Sequence, residues 1–394
     1  MTERLKIIIF DGSFKTTPFI NRLIRGLSGK HTIYLLGFNE SVSNRLEHVV
    51  YVPLGSNQNR FKFIYTCFAW SIKSKNNSIV KTLKYLLRGE RKLLQQQNLD
   101  AAIKQIDPDI IHLQWPSVMP WFESELNAQK IPIILSQRGF HSNVRPFVDN
   151  ENFEYLKKWY PKLMGFHSVS KAISAKGDLI YTSTKKIDKV VYTGLPLAGI
   201  EFLEEYKKET VFSILSVGRA HWIKGYDYAL KSCKLLKDTG VNFKYTIVGA
   251  GGDEELQFLI HDLDLQDCVT LIGRIPQEEV FDYIRSSSVL LMPSLEEGIP
   301  NIVVEAMALG VPVISTECGG VSELITHGKE GWLAPTRDSL AISSALQRFL
   351  QLPLEDIDVI RKAARKKVEA QHNENQMVGG MEALYFDVIA AALP

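Results

Sequence analysis

Residues Ser288–Thr316 read SVLLMPSLEEGIPNIVVEAMALGVPVIST. A short apolar run is followed by an acidic loop, a longer apolar stretch and a second short apolar run. Pro300 suits the first turn of a helix and Gly310 its C-terminal end, with IVVEAMAL between them. The flanking runs SVLLMP and VPVIST have the length of buried strands. Strand, helix and strand in immediate succession make the repeating unit of a parallel sheet.

The same alternation runs along the whole chain. Strand candidates in the first half are LKIIIF, HTIYLLGF, HVVYVPL, DIIHLQW, IPIILS, FHSVS and KVVYTG; in the second half they are VFSILSVG, FKYTIVG, CVTLIG, SVLLMP, VPVIST and EGWLAP. Between the two sets, LPLAGIEFLEEYKKET carries Pro196, Gly199 and a charged run, which places a linker at residues 196–210. A chain of 394 residues is too long for one compact core. The expected architecture is α/β, with two Rossmann-like doubly wound domains at residues 1–195 and 211–374 and a cleft between them. Ligands of such sheets bind beyond the carboxyl ends of the strands, so the loops after the strands are where chemistry is expected.

Composition narrows the classes. Basic and acidic side chains number 46 and 44, a formal charge of +2, so no general preference for polyanions follows and no nucleic acid is expected as a partner. Cys67, Cys233, Cys268 and Cys318 are scattered without C-x-x-C spacing, which suggests neither a disulfide framework nor a zinc site. No window reaches the roughly 18 apolar residues of a spanning helix, and MTERLKIIIFDG lacks a cleavage site. The expectation is a cytoplasmic protein, neither exported nor membrane-spanning.

Charge is uneven, however. From Ser56 to Gln95 there are nine Lys or Arg and one acid, Glu90, interleaved with FKFIYTCFAW. Two readings stand: a solvated helical face flanking core aromatics, or a patch that docks on anionic lipid or an anionic acceptor, giving peripheral contact with the inner face of the membrane.

The loops of the second half carry the candidate chemistry. In SVGRAHWIKGYDYALKSCKLL, Arg219 and Lys224 hang between a strand's carboxyl end and a helix N-terminus, an arrangement that suits a diphosphate. In YTIVGAGGDEELQFLI, Gly249, Gly251 and Gly252 permit close backbone approach, yet the G-x-G-x-x-G pattern is incomplete and Asp253, Glu254 and Glu255 would repel a phosphate. Glu297 lies in the loop before its helix and Glu305 inside it. Were the segment wholly helical, the acids would be about 12 Å apart, too far for the roughly 5 Å dyad of a retaining glycosidase. One extended ligand gripped at two points fits better, and the in-helix Glu305 needs a partner. Gly319-Gly320 is another approach loop or simply a turn.

These residues resemble glycosyltransferase family four, the retaining glycosyl transferases group 1 with a GT-B fold. The matched elements are Gly218-Arg219 with Lys224-Gly225, VGAGG, LIGRIPQEEVFDYI, and the Glu297, seven residues, Glu305 motif running into EAMALGVPVIS and GG, together covering nearly all of residues 211–335. The first half matches through DPDIIHLQW, HSVSKAI and VVYTGLP. The resemblance implies retaining transfer from a UDP- or GDP-linked sugar, without a metal or other cofactor, to a glycan or lipid-linked acceptor in cell-envelope, exopolysaccharide or lipopolysaccharide biosynthesis. It places Arg219 and Lys224 on the leaving diphosphate, Glu305 on the ribose, Glu297 by the donor sugar and the backbone near Ile275 at the base. Gly12, Gly218, Gly249, Gly298, Asn301 and Ile302 would complete the donor site. In SQRGFHSN, Arg138 or His141 would touch donor sugar or acceptor. The resemblance also implies that a C-terminal helix, residues 375–394, packs back on the first domain.

Two departures from the family pattern stand out. EGIPN replaces E-G-F-G-L, so Pro300 takes the place of a glycine N–H that Asn301 would compensate. FDGSFKTTPF has only Gly12 where the family has Gly-Gly. The Asp pairs 107/109, 262/264 and 356/358 have D-x-D spacing but sit where caps explain them. Alternatives to a transferase are a nucleotide-sugar epimerase or phosphorylase of the same fold, or a binding-only protein.

Overall fold

Strand β1 (Lys6–Ser13) carries Ile7, Ile8, Ile9 and Phe10 in succession, none of which is exposed. An uninterrupted buried run of this kind belongs to a strand covered on both faces, which is where parallel sheets lie. The computed structural model describes residues 4–42, 45–74 and 78–392, and among these residues every strand pairing is parallel. The chain divides into two units. One holds the chain up to Val169, Ser174–Val191 and the segment from Glu374 onward; the other holds Ser170–Ile173 and Tyr192–Asn373.

The first unit contains β1, β2 (Thr32–Asn39), β3 (Val49–Pro53), β4 (Ile110–Leu113), β5 (Ile133–Gln137), β6 (Gly165–Ser168) and β7 (Asp188–Val190), in the order β3-β2-β1-β4-β5-β6-β7. The second contains β8 (Phe212–Val217), β9 (Phe243–Val248), β10 (Val269–Ile272), β11 (Val289–Met292), β12 (Val313–Thr316) and β13 (Trp332–Ala334), in the order β10-β9-β8-β11-β12-β13. Each apolar run read as a strand in the sequence is one. Strand order reverses between β1 and β4 in one sheet and between β8 and β11 in the other, and such a reversal opens a crevice for a ligand.

The helix Asn301–Leu309 is buried from Val303 to Leu309, Glu305 included. A helix apolar all round is a core helix. It ends at Gly310, whose φ of +79° suits a left-handed cap, and a Cβ there would sit 2.4 Å from the Phe202 ring.

That contact corrects the linker reading. Residues 196–210 are packed on the second unit, because Phe202 and Tyr206 punctuate their charged run. Leu203 N–H donates to Leu309 O at 2.9 Å, and the Tyr206 hydroxyl donates to Ser288 O at 2.9 Å. Arg361 lies against both rings, 5.1 and 5.2 Å from their centroids, and donates to Gly310 O and Leu203 O. The first unit's main run accordingly ends at Val191, not at residue 195.

The C-terminal helix Glu374–Ala392 is part of the first unit; residues 393 and 394 lie outside the described residues. Met377, Val378, Met381, Leu384, Tyr385 and Val388 enter one core with Ile20, Leu23 and Ile24 of the helix Pro18–Ser28. Between β3 and β4 the chain inserts helices Arg60–Lys73, Ser78–Leu87 and Arg91–Ile106, sharing a small core of Phe63, Cys67 and Leu94. The basic segment falls here, with Lys75 outside the described residues.

Candidate functional site

In the second unit, the loops after β8, β9, β10, β11 and β12 leave the carboxyl edge of five adjacent strands. The loop after β8 carries exposed Arg219, then a short turn, Trp222–Lys224, closed by Gly225 with φ +63°. A Cβ at Gly225 would lie 2.1 Å from Pro293 O, so only glycine lets this loop rest on the one after β11. The Leu295 N–H donates to Ile223 O at 2.7 Å and seals that seam.

Across the seam, Lys224 Nζ meets Glu297 Oε1 at 2.6 Å, and the Ser294 hydroxyl donates to the same oxygen at 3.0 Å. The side chains are 24% and 15% exposed, so the pair faces an opening rather than the core. Arg219 and Lys224 both depress the pKa of His221, though burial is the larger cause. Two cations thus converge at one strand reversal. Glu297 is held from behind as well, for a Cβ on Gly319 would lie 1.8 Å from Glu297 O and one on Gly320 2.1 Å from Gly298 O. Gly319-Gly320 is therefore a packing turn that supports the acidic loop. Burial, then the Glu297 charge, raises the neighbouring Cys318 thiol to about 12.

Glu305, 5% exposed, accepts a hydrogen bond from Gln277 Nε2 at 3.1 Å. Ile275, half-buried, packs on the same apolar cluster as Val303 and Met307. Pro300 is the N-cap of the helix and supplies no side-chain cap. Val303 and Val304 N–H go to Pro300 O, while those of Asn301 and Ile302 make no bond among the described residues. Asn301 Oδ1 is also buried without a hydrogen-bond partner among them. Gly249, φ +97°, lies against Gly218, where a Cβ would meet Gly218 O at 2.8 Å. A cavity of about 380 Å³ beside Ala220, Trp222 and Tyr226 is lined by Asp227, Asp253 and Glu255 and does not suit a phosphate.

The first unit gathers polar groups at its own strand reversal. Gly12, φ +76°, lies inside β1 at a register shift rather than in a following loop. Beside it Asp11 accepts a hydrogen bond from Trp115 Nε1. Burial raises its carboxyl to about 6, against the opposing pull of Trp115 and Arg138. Arg138, 8% exposed, donates to Gln114 Oε1 and Ser136 Oγ, both at 3.2 Å, and stacks 4.8 Å over Phe19. Burial lowers its guanidinium to about 10. Arg138 Nε and Gln114 Nε2 are buried without a hydrogen-bond partner among the described residues. His141, half-buried on the short helix Phe140–Asn143, has its ring 6.1 Å from that of Trp115.

Beneath Arg138 runs a buried chain whose protons can be assigned. His167 Nε2 lies 3.0 Å from Val191 O, a pure acceptor, so it carries the hydrogen. Burial holds the ring neutral, its pKa near 3, and Nδ1 then accepts from Ser136 at 2.8 Å. Ser136 Oγ accepts from His112 Nε2 at 2.7 Å, and His112 Nδ1 accepts from the Tyr385 hydroxyl at 2.8 Å. His112, also held neutral by burial, completes a one-way relay from the C-terminal helix to Val191, the residue after β7.

The sequence reading named Gly218, Arg219, Lys224, Gly249, Ile275, Glu297, Gly298, Asn301, Ile302 and Glu305, which lie on one edge of one sheet, and Gly12, Arg138 and His141, which lie on the other sheet. It missed the ion pairing of Lys224 with Glu297, and the roles of Asp11, Gln114 and Trp115. Asp11 was legible as a strand-end acid next to Gly12; Tyr385 had no local signal.

Residues 201–367 match the family model described as Glycosyl transferases group 1. Over 169 residues the chain is 44% identical to the amylovoran biosynthesis glycosyltransferase AmsK of Erwinia amylovora, 41% of each chain being covered. The match thus spans about two fifths of that relative's length. In fold the chain is similar to sucrose-phosphate synthase from Thermosynechococcus elongatus, with a TM-score of 0.77 at 18% identity over 98% of this chain and 100% of that one. It is also similar to Anabaena HepE solved in complex with UDP-glucose, with a TM-score of 0.70 at 14% identity over 97% and 99%. The two parallel sheets are those of the GT-B fold, and residues 201–367, about two fifths of the chain, are similar to the glycosyl transferases group 1 family.

Proposed function

We propose that the protein is a retaining, metal-independent glycosyltransferase of polysaccharide assembly, acting at the cytoplasmic face of the membrane. It takes a sugar from a UDP- or GDP-linked donor and passes it to a glycan or lipid-linked acceptor. The observation that carries this reading is the Lys224–Glu297 pair at the β8/β11 reversal, with Arg219 beside it and open N–H groups at Asn301 and Ile302. The name of AmsK supports a role in exopolysaccharide synthesis, and the UDP-glucose in HepE a nucleotide-sugar donor.

In this reading the bond from the anomeric carbon to the diphosphate breaks, with its electron pair going to the phosphate oxygen. The acceptor hydroxyl oxygen bonds the same face of that carbon, and its proton passes to the departing diphosphate. Arg219, Lys224 and the first turn of the helix Asn301–Leu309 stabilise the charge that develops, the task that fixed dipoles and cations perform best in a water-poor site. Glu305 holds the ribose hydroxyls, and Glu297 orients the sugar.

The test is a panel of UDP- and GDP-sugars in EDTA, with and without lipid extract or soluble glycans, comparing the protein with Glu305→Ala. Acceptor-stimulated nucleotide release from one donor, lost in the variant, is expected. Donor consumption without any acceptor would point to an epimerase, phosphate-dependent turnover of a glycan to a phosphorylase, and binding without turnover to a binding-only protein.

A further inference from the structure

The helix Arg60–Lys73 has two apolar stripes where one would suffice. Phe63, Cys67 and Trp70, at i, i+4 and i+7, are at most 8% exposed and pack inward. Phe61, Tyr65 and Ile72 belong to a second stripe, at i, i+4 and i+11, and are 85%, 74% and 73% exposed. On the helix Ser78–Leu87, which packs against it, Val80 is 73% and Leu87 88% exposed. Single exposed apolar side chains are ordinary, but five on two helices packed together mark an interaction surface.

The charge of this surface says what it meets. Arg60, Lys73, Lys81, Lys84 and Arg88 lie on the same two helices or at their ends, and Lys73, Lys81 and Lys84 have no ion pair among the described residues. Lys73 and Lys81 also line a cavity of about 570 Å³ with Tyr85 and Lys104, its one acid being Asp100. Two copies of so basic a face would repel each other, whereas an anionic surface complements it. Exposed aromatic and aliphatic side chains among lysines are the composition of helices that lie in a bilayer interface.

We propose that helices Arg60–Lys73 and Ser78–Leu87 dock the protein on an anionic lipid bilayer, the apolar stripe entering the interface and the lysines meeting the headgroups. Docking stands on this surface alone, and it would bring the proposed transferase to acceptors carried on lipid.

The experiment is flotation of the full-length protein with phosphatidylglycerol/phosphatidylcholine vesicles and with phosphatidylcholine alone, at low and high salt, with no donor present. Two variants are compared: Phe61→Ser/Tyr65→Ser/Ile72→Ser and Lys73→Gln/Lys81→Gln/Lys84→Gln. Circular dichroism melts check that both are folded. Binding confined to anionic vesicles, and at least tenfold weaker in each folded variant and in high salt, is expected. No binding, binding indifferent to headgroup charge, or binding unchanged in both variants would overturn the proposal. So would a concentration-dependent dimer that the first variant abolishes, or retention on a protein partner instead of vesicles. Because no donor is used, failure of the transfer reaction and failure of docking are read separately.

Discussion

Lys224 Nζ and Glu297 Oε1 stand 2.6 Å apart although 73 residues separate them in the chain, one following β8 and the other β11. In the free protein, the cation assigned to the leaving diphosphate is already occupied by the acid assigned to the sugar. Under the proposed function, a nucleotide diphosphate competes with Glu297 for Lys224. Hydrogen bonds to charged groups are worth about 1.5–3 kcal/mol, so Lys224→Ala should weaken UDP or GDP binding roughly 10- to 100-fold. Glu297→Gln should leave nucleotide binding unchanged or tighter while lowering turnover at least about a hundredfold. Calorimetric titration of each variant with the nucleotide, alongside steady-state rates, checks both. Weaker nucleotide binding in Glu297→Gln would remove the competition argument.

A second prediction concerns the relay under Arg138. Tyr385→Phe deletes the hydroxyl that donates to His112 Nδ1 at 2.8 Å and leaves a fully buried acceptor unsatisfied. Such a loss costs about 1–3 kcal/mol, or roughly 2–12 °C in the melting of a unit this size. Since Ser136 also takes a hydrogen bond from Arg138, Ser136→Ala should do the same and additionally lower kcat more than it raises KM. A melting temperature unchanged in both variants would show that the chain bears no load.

The acid response of the first unit follows from the same histidines. Burial depresses the pKa of His112 and brings that of His167 to about 3, whereas an unfolded histidine titrates near 6.5. The stability they permit is complete above about pH 6.5 and falls as pH drops, by about 1.4 kcal/mol per pH unit for each ring. Asp11 has the opposite sign. Its pKa is raised to about 6, so its contribution is present below about pH 3.8 and is lost as pH rises through 6. Asp11→Asn keeps an acceptor for Trp115 and should stabilise the first unit at pH 7 by up to about 3 kcal/mol, with no gain at pH 3.5. Urea unfolding at pH 7, 6, 5 and 3.5 reads both slopes; a wild-type stability flat from pH 7 to 5 would contradict the histidine argument.

How much of this was legible beforehand differs by element. LKIIIF and SVLLMP read as strands because a chain buried on both faces must be apolar at every position, a local property. The Glu297 and Glu305 spacing was legible for the same reason, as were the cations after β8. What the sequence could not convey is pairing across the fold. Lys224 with Glu297, or Tyr385 with His112, depends on strand order, and strand order leaves no local trace. The linker was misjudged because Phe202 and Tyr206 were masked by the charges between them, and only the surface they cover explains their presence. Gly319-Gly320 read equally well as an approach loop or a turn, because a glycine needed for a ligand and one needed for a neighbouring backbone look alike.

That last ambiguity has a direct test. Gly319 has φ +50°, and a Cβ there would sit 1.8 Å from Glu297 O and 2.8 Å from a Glu296 carboxylate oxygen. The first contact is backbone, so a larger residue cannot be relieved by a rotamer change, and the acidic loop itself must move. Gly319→Ala should destabilise the second unit by about 2–4 kcal/mol through overpacking and the left-handed backbone together. It should also pull Glu297 from Lys224 and lower turnover about as far as Glu297→Gln does. Gly240, φ +78° with nothing within 4 Å of its Cβ position, supplies the control. Gly240→Ala carries the conformational cost of about 1 kcal/mol without the clash and should leave activity intact. Equal losses of activity in the two variants would mean that strain alone, and not support of the Glu297 loop, explains the glycine.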